Sequence, residues 1–128
     1  MLVNVSSVGG LVTSPTLSAY QISKTAVIRL TDFIAAEYGE QGLTAFCVHP
    51  GNILTDIVGG GHGMDEKLKA VFTETPQLCA DTLVYLTKEK RTWLNGRYIN
   101  CTWDMPELTA MEKRIVAGDL LKLTLKTP

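Results

Sequence analysis

Three short segments of this chain, Leu2–Ser6, Thr44–His49 and Arg97–Cys101, are rich in apolar and β-branched residues and have the length of single strands. A run with helical periodicity separates the first from the second, and another separates the second from the third. This alternation constrains the fold more than any other feature. Parallel strands need a long crossover between them, and an amphipathic helix is the usual one. Strands with little polar alternation are buried on both faces, as in a sheet covered by helices. The sequence therefore predicts an α/β chain with a parallel sheet. Three strands are few for such a sheet, so the pattern also predicts part of a larger architecture.

The intervening segments follow from local chemistry. Ser7 to Pro15 is rich in Gly, Ser, Thr and Pro and reads as a loop. Ser18 with Gln21 three residues later matches a capping box. Ile22, Ala26, Leu30 and Phe33, flanked by Val27 and Ile34, form the apolar stripe of a helix that stops near Gly39. The second strand ends at Pro50-Gly51, and Asn52 to Gly63 is a long glycine-rich loop. Met64 to Phe72 has weak helical character, and a firmer helix follows Pro76, through Leu78, Ala80, Leu83, Val84 and Leu86. After the third strand, Pro106 to Val116 predicts a further helix. The tail to Pro128 has no clear pattern. With no repeat, low-complexity tract or linker, residues 1–128 read as a single domain.

Charge excludes several function classes. Twelve Lys plus Arg against thirteen Asp plus Glu give a net charge of −1, with no basic patch for nucleic acid or an anionic membrane. No apolar run approaches the roughly 18–20 residues needed to cross a bilayer, and the first residues lack the pattern of a signal peptide. A cytoplasmic location is the resulting expectation. Cys47, Cys79 and Cys101 are widely spaced and form no zinc-like pattern with His49 and His62. Cys47 and Cys101 lie in apolar runs, as small buried hydrophobes do. There is no G-x-S-x-G nucleophile elbow, and Gly59-Gly60-Gly61-His62-Gly63 lacks the G-x-G-x-x-G spacing of a phosphate cradle, so loop flexibility is its better reading. His49 is expected to be structural, Trp93 and Trp103 packing or interface residues. Arg29, Asp32 and Glu37 are expected on the solvated or interface side of the first helix.

Chemistry concentrates elsewhere. Tyr20 and Lys24 are four residues apart on one helix, which puts their side chains on one face about 5–6 Å apart at Cβ. A cation beside a phenol favours the phenolate, so the pair is a recognisable acid–base device. Alone, a Tyr-x-x-x-Lys spacing is a weak signal. Ser7 lies thirteen residues before Tyr20, just past the first strand, and Pro50-Gly51 and Thr55 lie just past the second. Open α/β sheets bind ligands outside the carboxyl ends of their strands. Hydroxyl, phenol, ammonium and flexible loop should therefore converge on one crevice.

Taken together, Asn4-Val-Ser-Ser7, Tyr20-x-x-x-Lys24 and Pro50-Gly51-Asn-Ile-Leu-Thr55 resemble the carboxyl half of a short-chain dehydrogenase/reductase, from Leu2 to about Thr102. The resemblance implies the C-terminal half of a Rossmann-type NAD(P)-binding fold and interconversion of a carbonyl and an alcohol. It implies that Tyr20 is the general acid/base, that Lys24 assists it and holds the nicotinamide ribose, and that Ser7 hydrogen-bonds the reacting oxygen. Pro50, Gly51, Ile53 and Thr55 would meet the nicotinamide of NAD or NADP, and Asn52 to about Phe72 would be a substrate loop. The stretch Gly96–Leu125 resembles the endings of some fungal members. The glycine-rich cofactor turn of the family's first half has no counterpart here, so the Leu2–Ser6 strand is expected to present an unpaired edge. The implied partners are a small carbonyl or alcohol substrate and either a second copy or a complementing chain. A truncated, non-catalytic remnant or dimerising partner is the alternative.

Overall fold

A computed structural model describes residues 1–125. Its centre is a parallel sheet of β1 (Leu2–Val5), β2 (Ala45–His49) and β3 (Tyr98–Asn100), in that spatial order. Leu2 pairs with Ala45 and Cys47 with Tyr98. Each crossover carries a long helix: α1 (Ser18–Tyr38) joins β1 to β2, and α3 (Pro76–Thr87) precedes β3. All five residues of β2 are buried, as a central parallel strand requires. Phe46 and Val48 pack with Leu86, Leu94, Ile99, Leu108 and Ile115, while Cys47 turns the other way, towards Ile28 of α1 and Tyr98. Among the described residues β1 has β2 as its strand neighbour, and Val5 stays half exposed at the other edge.

Local chemistry shifted several boundaries. α1 begins at Ser18 itself with Leu17 at the cap, so no capping box forms. Gln21 instead turns back, and its Oε1 accepts the Ser14 amide at 2.8 Å, tying the preceding loop to the first turn. The apolar stripe of α1 is also rotated from the sheet. Ile22, Leu30 and Phe33 are 68%, 53% and 57% exposed, whereas Gln21, Ile28 and Thr31 are buried. The polar members of that inward face are buried because they are satisfied: Thr31 Oγ1 donates to the Val27 carbonyl at 2.8 Å and accepts from Asn4 Nδ2 at 2.9 Å. Asp32 is half-buried rather than solvated, and burial raises its carboxyl above the usual range, against the pull of Arg29 and Lys122.

The glycine-rich segment folds as a short 3-10 turn, Asp56–Gly61, broken where Gly59 and Gly60 take φ of +65° and +58°. A four-residue helix, α2 (Glu66–Lys69), capped by Asp65, replaces the weak helix read over Met64–Phe72. The helix read over Pro106–Val116 divides at Met111 into α4 (Met105–Ala110) and α5 (Glu112–Ala117). The chain then returns along β3, where the Tyr98 amide donates to the Leu121 carbonyl at 2.8 Å. Cys47 and Cys101 are buried, and burial pushes each thiol up to about 12. Trp93 is buried in the core, whereas Trp103 is partly exposed beside an apolar hollow of 380 Å³ formed with α4 and α5. No described helix is long and apolar enough to cross a membrane. The end of the tail, residues 126–128, lies outside the described residues.

Candidate active site

At the carboxyl ends of β1 and β2 the chain leaves the sheet in opposite manners, and the gap between them becomes a crevice. After β1 it turns tightly through a 3-10 segment, Val8–Leu11, and after β2 it opens into the 52–74 loop. The crevice has a volume of 230 Å³. Ser7, Tyr20, Lys24, Pro50, Gly51, Ile53 and Thr55 all line it. Seven further residues line it, Val5, Ser6, His49, Asn52, Ile57, Val58 and Phe72, none of which the sequence singled out individually for the site, although the expected substrate loop included the last four. Those four come from the loop, whose fold has no periodicity to betray which side chains turn inward.

Ser7 is held by its own turn. Its Oγ accepts the Gly9 amide at 3.0 Å, capping the 3-10 segment and leaving the hydroxyl proton available as a donor. Gly9 lies between Ser7 and Tyr20: a Cβ at that position would stand 3.1 Å from Tyr20 Cε1 and 3.3 Å from Ser7 Oγ. The missing side chain thus lets hydroxyl and phenol ring approach from two sides. Gly10 performs the same service against the helix backbone, where a Cβ would meet the Lys24 carbonyl carbon at 2.9 Å. Thr25 Oγ1 donates to the Gly10 carbonyl at 2.7 Å, fixing the turn on α1.

Lys24 is anchored at both ends of its residue. Ser6 Oγ donates to its carbonyl at 2.8 Å, and its Nζ donates to the Val5 carbonyl at 3.3 Å. The ammonium lies 5.8 Å from the centre of the Tyr20 ring. Of an ammonium's three donors, two remain for a ligand. Lys24 is the one Lys, Arg, Asp or Glu among the residues lining the crevice, so a ligand there meets one amine head group and several hydroxyls. Tyr20 is 38% exposed, reachable from the crevice mouth.

His49 ends β2 and is buried, with Nδ1 unpartnered. Burial holds its imidazole below the ordinary histidine range, while the Glu74 carboxylate acts in the opposite direction. The ring is therefore neutral near pH 7. Gly51 takes φ of +108°, a left-handed value that suits glycine, and Glu74 packs directly against it. Among the described residues no cluster of His, Cys, Asp and Glu could hold a metal ion.

Comparison with known proteins identifies the family of the chain. The family profile described as "Enoyl-(Acyl carrier protein) reductase" matches residues 1–101. The chain is 57% identical over 122 residues to the short chain dehydrogenase pigC of Monascus ruber, covering 95% of this chain and 40% of that protein. It is 53% identical over 114 residues to the short chain dehydrogenase tazN of Aspergillus terreus, covering 89% of this chain and 25% of that one. The chain thus spans well under half the length of these curated relatives. Among solved structures, a 4-hydroxyisoleucine dehydrogenase mutant complexed with NADH and succinate superposes with a TM-score of 0.66 at 27% identity, over 77% of this chain and 43% of that one. The angucycline C-6 ketoreductase LanV with bound NADP superposes at 0.64 and 23% identity, a likeness of fold alone. With its parallel sheet, its long Tyr20 helix and a family profile matched along residues 1–101, the chain belongs to the short-chain dehydrogenase/reductase family.

Proposed function

We propose that the crevice is the catalytic end of an NAD(P)-dependent oxidoreductase that interconverts a carbonyl and an alcohol on a small molecule. The observation that carries this reading is the convergence of Ser7, Tyr20 and Lys24 on one crevice, with Gly9 leaving room between hydroxyl and phenol. Tyr20 exchanges a proton with the substrate oxygen, at a site open enough to admit it. Ser7, its Oγ lone pair already engaged by Gly9, donates its hydroxyl proton to the same oxygen and stabilises charge developing there. Lys24, fixed to the end of β1 on the helix face it shares with Tyr20, offers its remaining donors to ribose hydroxyls.

The residues fit one end of NAD or NADP, which when bound supplies or takes up the hydride. A crevice of 230 Å³ is below the roughly 300–1,000 Å³ of a complete small-molecule pocket, so it suits the nicotinamide end and not a whole dinucleotide. Pro50, Gly51 and Ile53 present backbone to that end, and Thr55 a hydroxyl. The pyrophosphate half of the site is supplied by further polypeptide, either more of the same chain or a different, complementing chain, and the working form is a homo-oligomer or that complemented assembly in the cytoplasm. The intact mass of the protein from its source, compared with 14.0 kDa, separates these two arrangements.

The exposed stripe of α1 favours a second reading, in which the chain is a non-catalytic dimerising partner of a longer relative. The Tyr20→Phe variant separates the two. As an enzyme, the protein with its partner polypeptide loses turnover by about 10²–10⁴-fold while NADPH binding stays within about twofold. Undiminished turnover in Tyr20→Phe refutes the catalytic reading, as does a wild-type assembly with neither turnover nor dinucleotide binding.

A further inference from the structure

The 52–74 loop supplies much of the crevice wall, and its two ends meet at one side chain. Ile53 and Glu74 form an isolated parallel bridge, and the Glu74 amide donates to the Asn52 carbonyl at 3.3 Å. The Glu74 carboxylate then reaches across: Oε2 accepts the Asn52 amide at 2.8 Å, and Oε1 accepts the Thr73 hydroxyl at 3.0 Å. Its stem lies flat on Gly51, where a Cβ would stand 2.9 Å from Glu74 Cβ and 3.0 Å from Cγ. Only a residue without a side chain lets the carboxylate come so close to the strand end. Glu74 is also the charged group that acts on His49, the buried residue directly before Pro50.

We propose that Glu74 is a positioning residue: its carboxylate closes the neck of the 52–74 loop and so fixes where Ile53, Thr55 and Phe72 line the crevice. The physical case is one of leverage. Between Asn52 and Glu74 the loop holds a 3-10 turn broken at glycines of positive φ and one four-residue α-helix, whose backbone hydrogen bonds are all local, so its two ends are joined to each other at this neck. A charge-assisted bond at the neck is stronger than the neutral one beside it, and it fixes both ends at once. The inference deepens the reading of the crevice as a ligand site, and rests on it for its functional meaning.

The test is hydrogen exchange of the ligand-free chain, comparing wild type with Glu74→Ala and Glu74→Gln. Truncation of the side chain in Glu74→Ala should speed exchange of the Asn52 amide about tenfold. Trypsin cleavage after the exposed Lys67 should accelerate alongside it. The Gln variant keeps an acceptor oxygen and should stay within about threefold of wild type. Amides of β2 should be unchanged in both. Unchanged exchange in Glu74→Ala overturns the proposal, as does a Gln variant as labile as Ala. Faster exchange throughout β2 also overturns it, because Glu74 would then support the fold at large. These readouts need no dinucleotide, so a failed NADPH titration refutes the function of the crevice separately. With NADPH binding established in the complete assembly, Glu74→Ala should weaken it several-fold and Glu74→Gln restore it.

Discussion

Gly10→Ala adds one methyl group at the point where the turn after β1 rests on α1. That methyl carbon would lie 2.9 Å from the Lys24 carbonyl carbon, 3.0 Å from the Thr25 nitrogen and 3.1 Å from the Lys24 oxygen. Comfortable carbon contacts are about 3.5–4.0 Å, and the atoms opposing it are helix backbone, which cannot rotate aside. The turn must therefore retreat by several tenths of an ångström. Overpacking of this kind costs about 1–3 kcal/mol. The Thr25-to-Gly10 hydrogen bond, 2.7 Å long, is stretched in the same movement at a further cost of about 0.5–1.5 kcal/mol. Alanine's smaller unfolded-state entropy returns about 0.4–1 kcal/mol. The net expectation is a loss of about 2 kcal/mol. Urea unfolding read by the fluorescence of buried Trp93 should show the midpoint falling by about 1 M, at an m-value of about 2 kcal/mol/M. Gly63→Ala is the comparison, because no atom lies within 4 Å of its Cβ position and only its φ of +76° opposes the change. A Gly10→Ala protein within about 0.5 kcal/mol of wild type, at unchanged m-value, would refute the close approach and with it the seating of the Ser7–Gly10 turn on α1.

Two further predictions concern regions away from that contact. Replacing Leu30 by Glu and Phe33 by Lys on the exposed face of α1 should abolish concentration-dependent association in sedimentation velocity and leave the melting temperature unchanged; a wild type that stays monomeric at all concentrations counts against an interface there. For His49, burial lowers the folded-state pKa, so the unfolded chain takes up a proton that the folded chain refuses. That group's contribution to stability is complete above the ordinary histidine range of about 6.5 and is lost as pH falls from there through the lowered folded value. His49→Gln should flatten the dependence of the urea midpoint on pH in this window, and an identical slope in both proteins would show that His49 does not titrate on unfolding.

The sequence determined the alternation of strands and helices, because a parallel strand buried on both faces carries its pattern in its own residues. Ala45–His49 was legible for that reason, and every one of its residues is buried. The convergence of Ser7, Tyr20, Lys24 and the Pro50–Thr55 segment followed as well, since each lies just past a strand or at the start of the helix that follows one. Topology alone brings such positions to one edge of the sheet.

Other features depended on partners distant in the chain. The inward face of α1 meets partners far away in the chain, Ile28 packing with Cys47 and Tyr98 and Thr31 bonded by Asn4 across 27 residues, while an apolar stripe is left outside. Helix periodicity identifies an apolar face but not what will cover it. The neck at Glu74 was invisible because its Oε2 accepts from an amide 22 residues earlier, across a glycine whose significance lies in its φ and in the stem packed upon it. Local chemistry is written in neighbouring residues, whereas a contact closed by a loop exists only once the loop has folded.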